Sequence, residues 1–250
     1  MHVPVVYIGQ SDSIVERHHR LLPFLLPYEN ARANALRSSE SSVDFVASRL
    51  LVRVAIGFVL KIPATEVVLS QQCEKCGGGE HGAIRHPFNN LNISTSHSRG
   101  MVAATAAWDP IGVDIESMDR QRLMIPPFDC VGLCPEEILS RLVANKGSSG
   151  STMLWTVKEA LLKSSKAITL ADFPSICVLL SKGNGGDECL DGDTYGRRVG
   201  CWKINSHYLG IACESTAVEI VHHTDSISME VPGTISLIDS REVLHESLGP

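Results

Sequence analysis

Ile111-Gly112-Val113-Asp114-Ile115-Glu116, and further on Trp155-Thr156-Val157-Lys158-Glu159-Ala160-Leu161-Leu162-Lys163, are the two ends of the stretch on which the fold turns. The first reads as a short strand. Strand side chains alternate, so Val113 and Ile115 share one face while Asp114 and Glu116 share the other. The second reads as a helix, in which Trp155, Glu159 and Lys163 recur every four residues on one face. Two carboxylates on a strand and a third on a helix suit a hard divalent cation. A lysine one turn beyond the third suits the phosphates that commonly accompany such a metal.

Working outward, the chain has 250 residues, 44% of them hydrophobic and 20% charged, the balance of an ordinary globular protein with room for a sizeable core. A net charge of -6 argues against nucleic acid as the main partner, because phosphate-backbone binding needs a basic surface. No apolar run approaches the ~20 residues that span a bilayer, and no export signal opens the chain. A cytoplasmic protein without a membrane partner is expected. The eight cysteines then read as reduced thiols, with Cys130, Cys134, Cys177, Cys201 and Cys213 as small core or strand residues.

Upstream, Val3 to Ile8 reads as a strand, Ser13 to Pro27 as a helix with an irregular turn, and Glu29 to Leu36 as a weak helix. Ser41 and Ser42 offer capping chemistry for a long helix starting near Asp44 and stopped by Pro63. Arg49 and Arg53, four apart on it, form either a solvated basic edge or an anion clamp. Cys73-x-x-Cys76 with His81, and His86 as a possible fourth ligand, reads either as an incomplete zinc set or as a glycine-rich turn leading toward a ligand. The turn is the preferred reading. Asn92 to Gly100 places a Ser96-His97-Ser98 tip between two strands, and Met101 to Trp108 forms the second of them.

Downstream of Glu116, Met118 to Asp129 reads as a loop and Pro135 to Ala144 as a short helix. Gly147 to Gly150 reads as a linker, with Ser151 capping the Trp155 helix. Strands are expected at Ser175 to Leu180, Val199 to Ile204, Tyr208 to Cys213 and Val218 to His222, with a long turn-rich connection from Gly183 to Arg198. Strand, long helix, then strands occurs once before Asp109 and once after it. The expectation is an α+β protein of two similar subdomains in a pseudo-twofold arrangement, with the active site in the cleft between them. Residues 1–110 form the first, 111–222 the second, and 223–250 a tail.

Gly112 to Glu116 followed by Trp155 to Lys163 resembles the paired signature of the 4′-phosphopantetheinyl transferases, in particular the large, pseudo-dimeric, surfactin-synthetase-activating type. Ser94-Thr95-Ser96-His97-Ser98 is similar to that family's Ser-His-Ser turn, and Arg49-Leu50-Leu51-Val52-Arg53 to its arginine-bearing helix. The resemblance covers residues 25 to 215. It implies transfer of the phosphopantetheine arm of coenzyme A to a serine of an acyl or peptidyl carrier protein, with release of 3′,5′-ADP, by a monomer.

By that resemblance Asp114, Glu116 and Glu159 hold Mg²⁺, and Lys163 contacts the phosphates and stabilises the departing ADP. Ser96, His97 and Arg53 bind the coenzyme A phosphates, with Arg49 assisting, and Glu137 helps deprotonate the carrier serine. Relatives carry a Gly-Lys-Pro or Gly-Arg-Pro turn where this chain has Gly82-Ala83-Ile84-Arg85-His86-Pro87, so Arg85 is expected to supply the missing charge. Glu29 stands where relatives have a basic residue, which shifts the expected 3′-phosphate contacts onto Arg53 and His97. Trp155 is expected to pack, and Lys158 to be either solvated or a phosphate contact. The rival from another class is a non-catalytic coenzyme A- or zinc-binding module that partners a synthase. A Mg²⁺-dependent nucleotidyl transferase would need a Gly-x-x-x-x-Gly-Lys loop, and the chain has none.

Overall fold

The structure, a computed structural model, describes residues 3–71, 82–88, 90–119, 147–165, 170–178, 181–182, 189–194, 196–215 and 218–222. Val5-Val6-Tyr7-Ile8 has no polar alternate, which requires cover on both faces of its strand, β1 (Val5–Gln10). Val5 and Tyr7 pack beneath a long helix, whereas Val6 and Ile8 face a second sheet.

After β1 come α1 (Ser11–Arg17), a 3-10 segment (His19–Phe24), α2 (Pro27–Ala35) and the long α3 (Ser39–Leu60). The cap of α3 is Ser38, whose Oγ accepts from the Ser41 amide at 3.1 Å, so the helix starts earlier than Ser41-Ser42 suggested. It ends where Lys61 turns left-handed (φ 55°), two residues before Pro63. Short strands β2 (Ser70–Gln71) and β3 (Ile84–Arg85) pair with each other. Then β4 (Asn92–Ser98) and β5 (Met101–Ala107) form a hairpin, and β6 (Ile111–Ser117) follows. Ser96 and His97 therefore lie within β4, and the turn itself is made by Arg99 and Gly100, both at positive φ.

Past the break, α4 (Gly147–Ser164) precedes a 3-10 segment (Leu170–Ser175), then β7 (Ser181–Lys182), β8 (Cys189–Thr194), β9 (Arg197–Ile204), β10 (His207–Cys213) and β11 (Glu219–His222). Three expectations are corrected here. Gly147 to Gly150 is the first turn of α4 and not a linker, because packing of the inner helix face outweighs the roughly 1 kcal/mol cost of each glycine. Residues 176–178 are not a strand: Ile176 and Val178 are buried, but the Ile176 amide bonds back to the Asp172 and Phe173 carbonyls. The long connection from Gly183 to Arg198 contains β8, which pairs with β9.

The first sheet runs β11-β1-β5-β4 and the second β6-β10-β9-β8-β7. Each meets one long helix: α3 on the outer face of the first, α4 on the outer face of the second. Between the sheets lies a shared apolar layer that includes Val6, Ile8, Val113, Ile115, Leu209 and Ile211. The chain thus mixes helix and sheet, as the α+β reading expected. The β11 strand, expected with the second half, instead runs parallel to β1 in the first sheet and ties the chain's later part to its start. Among the described residues no helix is long and apolar enough to cross a membrane.

His18, 3% exposed at the end of α1, sets a pH limit on this assembly. Burial, with a smaller push from Arg17, lowers its pKa from 6.5 to about 4. The unfolded chain binds that proton more readily, so the stabilisation is complete above pH 6.5 and drains away as pH falls toward 4, up to about 3 kcal/mol. Replacing His18 with Gln is expected to flatten the fall in Tm between those pH values. An unchanged slope would show that other groups govern the acid limb.

Candidate functional site

Two glycines bring the site together. A Cβ on Gly112 would overlap the carbonyl oxygen of Ala160, and one on Gly210 would sit 2.6 Å from that of Thr156. Strands β6 and β10 therefore meet the α4 backbone directly over one helical turn. With Thr156 and Ala160 against the sheet, the neighbouring face carrying Glu159 and Lys163 lies alongside β6. Lys163 Nζ donates to Asp114 Oδ1 at 2.7 Å. Lys163, expected on the phosphates, thus forms a direct ion pair with Asp114, which is only 3% exposed.

The edge of the first sheet supplies the other wall. Strand alternation aims Ser94, Ser96 and Ser98 the same way along β4, toward β6. Ser94 Oγ accepts from the Val113 amide at 2.9 Å, and Ser96 Oγ donates to Asp114 Oδ1 at 2.7 Å. Ser98 Oγ accepts from the Ser117 amide at 3.2 Å and donates to Glu116 Oε2 at 3.1 Å. Three hydroxyls join the two sheets, and two of them, Ser96 and Ser98, orient the strand carboxylates. Ser96, expected on a phosphate, is engaged with Asp114.

His97 points to the other side of β4, toward α3. Its Nδ1 lies 4.0 Å from Asp44 Oδ2. Asp44 is buried, accepts from the Ser11 hydroxyl, and accepts from the Gly100 amide at 3.2 Å, which pins the turn after β4. Burial lowers the His97 pKa most; Asp44 opposes this, and Lys163 and Arg49 add to it. Burial thus favours the neutral ring. Sequence reasoning missed Asp44, whose partners lie 33 and 56 residues away.

The two arginines part company. Arg53 is 1% exposed and donates to Glu29 Oε2 at 2.8 Å, to the Phe24 carbonyl at 2.9 Å and to the Arg49 carbonyl at 3.0 Å. Glu29 also accepts from the Leu26 amide at 2.8 Å, locking the start of α2. Arg53, expected on the phosphate, is paired with Glu29 here, and a ligand would first have to displace that buried carboxylate. Arg49 lies 4.6 Å over the Phe45 ring, donates to Gln71 at 3.0 Å, and has a longer 3.6 Å approach to Glu29. Its Nε is buried without a hydrogen-bond partner.

Arg49 and Lys163 both line a cavity of about 520 Å³, together with Arg85, Gln71 and an apolar wall that includes Ile84 and Ile93. No carboxylate is among the described residues that line it. Lys163 pairs with Asp114 and Arg49 approaches Glu29 outside that lining, so the cavity wall itself offers cationic groups beside apolar side chains, the features that an organic anion would use. Arg49→Met is expected to weaken binding of such a ligand by about 10- to 100-fold, the loss of one charge-assisted bond. Arg53→Met is expected instead to cost about 3 kcal/mol of stability, because Glu29 loses its buried partner. Titration calorimetry and thermal melts separate the two. Equal effects on binding would undo the distinction.

Asp114 Oδ2 is also buried without a hydrogen-bond partner, which is the kind of oxygen a cation would meet. Among the described residues, however, no three His, Cys, Asp or Glu side chains group closely enough to hold a metal. Asp114 and Glu116 fit a small hard cation, but with Glu159 they do not stand as a ready cage. Trp155 packs edge-on against Phe173 at 5.4 Å, and Lys158, wholly buried, donates to the Phe173 carbonyl at 2.9 Å. Lys158 is thus not solvated. His86 Nδ1 accepts from the Phe88 amide at 3.3 Å. Glu137, Cys73, Cys76, His81 and the tail lie outside the described residues.

No protein-family model matches this chain, and no curated protein matches it significantly.

Proposed function

We propose that this chain is a Mg²⁺-dependent 4′-phosphopantetheinyl transferase that moves the arm of coenzyme A onto a serine of an acyl or peptidyl carrier protein. The observation that carries the reading is the double placement of Lys163. It lines a cavity with three cations and no described carboxylate, and it also bonds a buried aspartate beside a second acid. A pyrophosphate bridging a cation-rich pocket and a metal-binding edge needs that juxtaposition.

In this account Arg49, Arg85 and Lys163 take the coenzyme A phosphates, and the apolar wall with Phe88 and Leu91 takes the base. Ser96 and Ser98 hold Asp114 and Glu116 in place, so those carboxylates do not reorganise as charge develops. Mg²⁺, held by Asp114 and Glu116 with Glu159 drawn in, would neutralise charge building on the pyrophosphate. Lys163 stabilises the leaving 3′,5′-ADP, and Glu137 accepts the carrier serine's proton.

Two similar halves are part of the same proposal. In each sheet the strand preceding the long helix (β1, β6) pairs antiparallel with the second strand of a later hairpin (β5, β10). A cytoplasmic monomer acting on carrier domains completes it. Coenzyme A is expected to bind with a dissociation constant on the order of micromolar, in competition with 3′,5′-ADP. Absence of binding by calorimetry would overturn the reading. Binding without transfer to any carrier would favour a non-catalytic partner of a synthase.

A further inference from the structure

Lys163 stands on Asp114 where a metal would stand. From this we propose that Lys163 is an exchangeable counter-ion that keeps cations off Asp114 until a phosphate-bearing ligand draws its ammonium into the cavity. The inference rests on the transferase reading, since it concerns the same carboxylates. Asp114 is nearly enclosed, and a carboxylate in that position is costly without a cation beside it. Of its two oxygens, Oδ1 takes both Lys163 and Ser96, and Oδ2 is left buried without a hydrogen-bond partner. Lysine thus supplies the charge, but only half the coordination that a metal would.

A divalent cation arriving alone would sit beside the ammonium, and the two like-signed charges repel strongly in a partly buried site. The ammonium has somewhere to go. Lys163 is a quarter exposed and already lines the cavity beside Arg49 and Arg85, so an anion bound there would attract its ammonium. An anion there pulls Lys163 off Asp114, which frees Oδ1 for the metal, and the metal repels Lys163 toward the anion. The two bindings are therefore coupled, and the coupling is reciprocal.

Mn²⁺ titrations followed by electron paramagnetic resonance test the exchange without reference to activity. Lys163→Gln keeps a donor for Asp114 but removes the charge. It is expected to bind Mn²⁺, in the absence of any anion, at least about 10-fold more tightly than the wild type. Asp114→Asn serves to show that the bound ion is at this site. Equal or weaker Mn²⁺ binding by Lys163→Gln would overturn the exchange while leaving the metal site standing. No Asp114-dependent Mn²⁺ binding in any protein, with or without coenzyme A, would overturn the metal reading and the exchange with it.

A measurement on the wild type guards against a variant that fails to fold. Reductive methylation of Lys163, read by peptide mass, should speed up several-fold at saturating Mg²⁺ without anion, because the ammonium has been expelled from Asp114. The wholly buried Lys158 is the internal control. Unchanged Lys163 reactivity while Mg²⁺ is bound would contradict the proposal.

Discussion

Asp114→Asn is expected to lower the rate of phosphopantetheine transfer by at least about 100-fold, the scale of losing one preorganised electrostatic group, while the protein stays folded. The side chain keeps its size and can still accept from Ser96, so the seam between β4 and β6 survives through Ser94 and Ser98. What disappears is the charge that pairs with Lys163 and would hold the metal. Steady-state kinetics with coenzyme A and an apo carrier, alongside a thermal melt, separate these effects. Undiminished transfer would refute the metal assignment outright.

Gly112→Val is expected to be the most damaging change to structure and activity together. Even a Cβ at this position would overlap the Ala160 carbonyl and come within 2.6 Å of the Ser164 amide, both backbone groups that cannot swing aside. Forcing α4 away from β6 should cost about 3 kcal/mol, typical of severe overpacking, which for a chain of this size lowers Tm by about 10 °C. The displaced helix carries Lys163 off Asp114, so activity should fall even below the new Tm. A variant with wild-type Tm and rate would show that the helix does not need this close approach.

The parts of the site visible in the sequence are those encoded by local periodicity. Alternation placed Asp114 and Glu116 on one face of β6, and the four-residue spacing placed Glu159 with Lys163. That Lys163 reaches Asp114 follows once the helix packs on the strand. The pairing of Arg53 was not legible because it depends on Glu29, which is 24 residues distant and read only as a missing positive charge. The same residue spacing carried Arg49 and Arg53, yet one lines the cavity and the other is buried against Glu29. The serines of β4 were taken as a turn, since nothing local says that Ser96 and Ser98 face two carboxylates 18 residues on. The glycines opening α4 and the polar residues of β8 broke the propensity rules, and tertiary packing and strand pairing overrode them.

The central claim is that a cation-rich cavity and an acid-bearing strand edge, linked by Lys163, form one site for transferring the arm of coenzyme A. The most direct test mixes the protein with coenzyme A, Mg²⁺ and a panel of apo carrier proteins and weighs each carrier. The account predicts that at least one carrier gains the mass of a single phosphopantetheine arm, with an equal amount of 3′,5′-ADP released. Carriers of unchanged mass across the whole panel, with coenzyme A and Mg²⁺ both bound, would contradict it.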